Sequence, residues 1–67
     1  MNMTRLNEII ENSGFKLTFI AKKLDITYVA LHNKLTGKRK FTIKEALTLK
    51  DLLSLNEDDF KDIFNGC

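Results

Sequence analysis

Residues 14–42 read GFKLTFIAKKLDITYVALHNKLTGKRKFT. Leu17, Ile20, Ala21 and Leu24 recur at i, i+3, i+4 and i+7, the spacing that puts side chains on one face of an α-helix. This predicts a helix from about Lys16 to Leu24 with Lys22 and Lys23 facing outward. Only Asp25 to Thr27 separate it from the next helical pattern, in which Leu31 and Leu35 form the buried side. Thr27 suits the N-cap of that helix, since its hydroxyl can accept from a backbone N–H two or three residues on, and Gly37 ends it. Two helices joined by so short a connection must cross steeply, which is the geometry of a helix-turn-helix.

Outward from this pair the periodicity stays helical, and the chain has no proline. Met3, Leu6, Ile9 and Ile10 give an N-terminal stripe, predicting a helix from Thr4 to Asn12 stopped by Gly14. Thr42-Ile43-Lys44-Glu45 is a capping-box pattern that opens a fourth helix. Ile43, Ala46, Leu47, Leu49, Leu52 and Leu53 are expected to wrap a broad apolar face around it, making it central to the core. A last short helix should start at Asn56 or Glu57, with Asp58 and Asp59 at the positive end of its dipole and Phe60, Ile63 and Phe64 as an apolar patch. The expected fold class is all-α, a compact five-helix arrangement forming one domain over residues 1–67.

A chain of 67 residues is near the lower limit for a core without staples. The one cysteine, Cys67, cannot form an internal disulfide, and no Cys/His cluster could hold a structural zinc, so packing alone must stabilise the fold. Arg5, Glu8 and Glu11 interrupt the N-terminal region, which therefore reads as neither a signal peptide nor a membrane span. The expected location is the cytoplasm.

Charge is distributed unevenly. Residues 15–44 carry eight cations against Asp25 alone, a net +7, while residues 45–67 are net −4 and residues 1–14 net −1. A basic middle points to a polyanion partner, and an acidic end beside it limits indiscriminate adhesion. Enzymatic chemistry has little to work with: one histidine, one distant cysteine, no phosphate-cradling glycine loop and no metal-ligating cluster. No cofactor, metal or small-molecule ligand is expected, and the cations do not line one amphipathic helix as a membrane-surface role requires.

The stretch Gly14 to Thr42 resembles the helix-turn-helix of the Cro and phage-repressor family, in particular the short all-helical regulators of Gram-positive phages. The resemblance lies in Ala21 in the middle of the second helix, Leu24 and Ile26 flanking the turn, Leu31 in the third helix and Gly37 just past it. The flanking helices fit the lambda-repressor-like five-helix layout, so it covers nearly the whole chain. Bulk at Ala21 would push the third helix out of its docking angle. Two positions depart from the pattern. Asp25 stands where the family usually has glycine, because the chain there visits the left-handed region. Lys34 stands where an apolar residue is more often buried, a duty expected to pass to Leu35.

The resemblance implies that the third helix enters the major groove of double-stranded DNA and that Tyr28, Val29, His32 and Asn33 face the bases. Asn33 suits adenine N6 and N7, Val29 a thymine methyl, and His32 a guanine or a phosphate. Lys16, Thr27 and Thr36 are assigned to the backbone, and Lys38, Arg39 and Lys40 to phosphates beside the loop that follows the helix. Two roles stay open for Tyr28, a base contact or a half-buried packing position. Lys22 and Lys23 are equally open, as phosphate contacts or solvated charges. Phe41 is expected to plug the core. One such domain spans about half a turn of DNA, so a homodimer on a palindromic operator is expected, with Phe60, Ile63 and Phe64 either making the dimer contact or capping the monomer core. The family implies a Cro-like repressor acting by promoter occlusion. The alternative is a protein of the same scaffold that binds another repressor or partner protein through its acidic final third.

Overall fold

The computed structural model describes residues 3–64. Five helices follow one another: α1 Met3–Ser13, α2 Leu17–Leu24, α3 Tyr28–Leu35, α4 Ile43–Leu52 and α5 Glu57–Phe64. No strand occurs among the described residues, and Cys67 lies outside them. Helix α1 extends one residue beyond the expected span at each end. Lys16 is not helical but the extended residue that precedes α2.

Each helix contributes one fully buried aliphatic side chain to a single core: Leu6, Ile20, Leu31, Leu49 and Ile63. Ala21, Leu24, Leu35, Phe41, Ala46 and Leu55 fill in between them. Helix α2 packs on α3 and α4, and α1 packs on α3 and α5, within 27 × 23 × 20 Å. The described part has no helix long and apolar enough to cross a membrane.

Helix starts follow local chemistry. Thr27 Oγ1 accepts from the Ala30 N–H at 3.1 Å. Thr42 Oγ1 accepts from the Glu45 N–H at 3.1 Å while Glu45 Oε1 accepts from the Thr42 N–H at 2.9 Å, closing the capping box. Asn56 Oδ1 accepts from the Asp59 N–H at 2.7 Å, so the last helix is capped by Asn56 and begins at Glu57.

Three helix ends share one device, in which a left-handed residue lets two successive amides turn back to the last helical carbonyls. At α3 this residue is Gly37, with the Gly37 N–H on the Lys34 carbonyl at 3.2 Å and the Lys38 N–H on the Asn33 carbonyl at 2.9 Å. Asp25 does the same after α2 and Ser54 after α4, at φ of 59° and 54°. The left-handed turn expected at Asp25 is therefore present.

Helix α4 differs from its expected form. Ile43 and Leu47 are 81% and 53% exposed, outside the face they were expected to share with Ala46 and Leu49. At about 3.6 residues per turn they project well away from the Ala46–Leu49 direction, and Glu45 occupies the inward position instead. Lys34 is buried along with Leu35 rather than replaced by it. Ile63 and Phe64 are buried within the chain, so they close the core and are not a surface for a second copy; only Phe60 of that patch stays half-exposed.

Candidate nucleic-acid interface

Helix α3 has one side in the core, carrying Leu31, Lys34 and Leu35, and one side in solvent. Tyr28 and Val29 are 50% and 66% exposed, His32 is exposed and Asn33 half-buried. Spacings of one and four residues put these four on adjacent outward positions. The Tyr28 ring does not pack into the core but lies nearly parallel to the His32 ring, 6.5 Å between centroids at 16°. The Asn33 carbonyl is occupied by the Lys38 and Arg39 amides and the Thr36 hydroxyl, at 2.9, 3.3 and 3.1 Å. Its side-chain amide makes no hydrogen bond to the described residues, so its donor and acceptor remain available.

Those bonds to Asn33 tie the basic loop to the last turn of α3. Lys38, Arg39 and Lys40 are all exposed, while the backbone beneath them is held at both ends. The N-terminal end is fixed through the left-handed Gly37. At the other end Phe41 is buried, its ring edge-on to Phe64 at 5.9 Å, in the core-plug role expected of it. The loop after α3 thus carries three exposed cations on a backbone held at both ends.

Lys34 and Glu45 meet beneath that loop. Lys34 Nζ lies 2.5 Å from Glu45 Oε1, 3.5 Å from the Lys40 carbonyl oxygen and 5.9 Å from the centre of the Phe41 ring. Burial pushes the Glu45 carboxyl up. The Lys34 ammonium and the Thr42 amide outweigh this and leave it below its usual 4.5. Among described residues, no buried side-chain nitrogen or oxygen lacks a partner.

A shallow concavity opens at the other end of α3, lined by Thr18, Lys22, Asp25, Thr27 and Tyr28 over a floor that includes Ala21. Thr18 and Lys22 are i and i+4 on α2 and Asp25 is the left-handed residue that follows it, so one edge of that helix lines the concavity at the start of α3. The exposed ammonium of Lys22 and hydroxyl of Thr18 stand there beside the start of α3, with the Asp25 carboxylate in the same concavity. Thr18 was missed by the sequence reasoning, and its spacing to Lys22 was the signal that would have found it. Lys16 stands before α2, and no contact ties it to the face of α3. Lys23, about a quarter turn round α2 from Lys22, lies over the Phe19 ring at 5.4 Å, with Phe19 against Phe15 at 5.2 Å.

Of the residues singled out from the sequence, Tyr28, Val29, His32 and Asn33 thus share the outward side of α3, Thr36 and Lys38 to Lys40 follow on the loop fastened to its last turn, and Lys16 stands apart before α2. Acidic side chains are concentrated elsewhere, on α5, where Lys50 of α4 reaches Glu57 at 2.6 Å and Arg5 of α1 reaches Asp59 at 3.3 Å. No family model matches the chain, nor does any curated protein or solved structure.

Proposed function

We propose that the protein is a sequence-specific regulator of transcription that binds double-stranded DNA, with α2 and α3 acting as a helix-turn-helix of the Cro and phage-repressor kind. The observation that carries this is the attachment of a cationic loop to an exposed helix face. Tyr28, Val29 and His32 are exposed and the Asn33 side-chain amide has no partner among the described residues, and the loop with three exposed cations is hydrogen-bonded to the Asn33 carbonyl of the same helix. Base edges need apolar and amide groups, phosphates need fixed cations, and here the two adjoin in the order a groove-bound helix requires. Helix α3 lies in the major groove, with Thr18, Lys22 and Thr27 on one phosphate run and Thr36 and Lys38 to Lys40 on the other. Binding occludes a promoter, and occupancy follows the protein's concentration.

Specificity requires two copies on a palindromic operator. With Ile63 and Phe64 inside the core, the contact falls on the apolar groove between α4 and α5, where Ile43 and Leu47 stand exposed beside Phe60. The same exposed pair also favours the second reading, a scaffold that binds another protein there. Selection from a randomised duplex pool at low and physiological salt separates the two. An enriched palindrome whose affinity falls steeply with salt supports the operator-binding reading, and the absence of enrichment at both salts overturns it.

A further inference from the structure

The Lys34–Glu45 pair is the most buried charge in the described molecule, each residue only 9% exposed, and none of the DNA contacts proposed above uses it. Its surroundings show what it holds. Lys34 belongs to the last turn of α3, the helix whose outer side is the recognition face. Glu45 belongs to the first turn of α4 and also accepts the Thr42 N–H that starts that helix. Between them runs residues 36–42, which carries every cation of the loop, and Lys34 Nζ reaches back to the Lys40 carbonyl oxygen at 3.5 Å. The loop is thereby fastened to one helical turn twice, by the Asn33 carbonyl on its way out and by the Lys34 ammonium on its way back.

The ion pair as such has little advantage in stability over an apolar pair of similar volume, because removing two charges from water offsets most of their attraction, and the part Glu45 plays in capping α4 is separate. A directional contact supplies something an apolar pair does not, a fixed register between the two segments. We infer that the buried Lys34–Glu45 pair is a positioning element, which sets where Lys38, Arg39 and Lys40 stand relative to the base-facing side of α3. It touches no DNA and acts through the backbone of the loop.

For its effect on affinity the inference rests on the DNA-binding proposal, but its structural half can be tested on the free protein. The variant Lys34→Met/Glu45→Gln removes both charges and keeps an acceptor for the Thr42 amide, since glutamine also completes a capping box. The amide order parameters of Lys38 to Lys40, expected at about 0.85 in the parent, should fall below about 0.6 in the variant while those of α1 to α5 are unchanged. Affinity for a selected duplex should drop about tenfold and affinity for an unrelated duplex should hold, because the cations remain but lose their places. Lys34→Met alone should loosen the loop in the same way, with a larger loss of stability because it leaves the Glu45 carboxylate buried without its cation.

Unchanged loop order in both variants would overturn the inference. So would an equal loss of affinity for both duplexes, the sign of a destabilised fold, or a failure of both variants to fold, which would make the pair a support of the whole molecule. If the parent protein binds no duplex, the functional proposal fails instead, and loop order alone decides the inference.

Discussion

Asp25 and Ser54 hold left-handed backbone without being glycine, a conformation that costs an L-residue roughly 1 kcal/mol. Ser54 is exposed and remote from the candidate interface, so Ser54→Gly isolates the backbone effect. It should raise stability by about 0.5 kcal/mol, the strain relieved exceeding the entropy of the freer unfolded chain, and appear as a higher urea midpoint at constant slope. Asp25 adds an electrostatic effect, as its carboxylate sits in the concavity with Lys22 and Thr27. Asp25→Asn, which tolerates the same backbone, should tighten DNA binding about threefold at low salt and less at high salt. On α3, Asn33→Ala should cost about 1–3 kcal/mol at one base position and leave binding to unrelated DNA unchanged. Lys38→Ala should weaken every sequence alike and lower the salt slope by about one.

At the scale of the elements, α4 depends on its first turn. Thr42→Ala removes one half of the capping box and should cost about 1 kcal/mol by thermal or urea unfolding. Glu45 adds a pH dependence of definite sign. Its folded carboxyl titrates below the usual 4.5, so its contribution is complete above that value and is lost as pH falls through the lower folded one. Lys34→Met removes the ammonium that depresses it, and the decline in stability between about pH 5 and pH 3 should be shallower in that variant than in the parent. The helices and their caps at Thr27 and Thr42 were legible in the sequence because each depends on neighbours within four residues, whereas the left-handed turn at Asp25 was expected only through the family resemblance. The exposure of Ile43 and Leu47 was not, because a helix with apolar residues on most of its circumference does not reveal which side its partners occupy. Nor was the burial of Lys34 with Glu45, which needs two residues eleven positions apart, on different helices, to meet. The Phe60 to Phe64 patch was readable as apolar, but whether it faced inward depended on where α1 and Phe41 lie.

The whole molecule is electrically divided, basic from residue 15 to residue 44 and acidic beyond. Its acidic end is engaged with the body, through Lys50–Glu57 and Arg5–Asp59, and the basic loop is left to solvent. Such a dipole would orient the protein on approach to a polyanion, α3 side first. The apolar groove between α4 and α5 lies outside the α3 surface, so Leu47→Lys should abolish cooperative binding to a palindrome while a half-site is bound as before, measured by sedimentation and anisotropy. Most direct of all is an amide chemical-shift map of the labelled protein on addition of a short mixed-sequence duplex at low salt. Shifts concentrated at Thr18, Lys22, Tyr28 to Asn33 and Gly37 to Lys40 are the predicted result. Shifts centred on Ile43, Leu47 and Phe60, or none anywhere, would contradict DNA recognition by α3 and its loop.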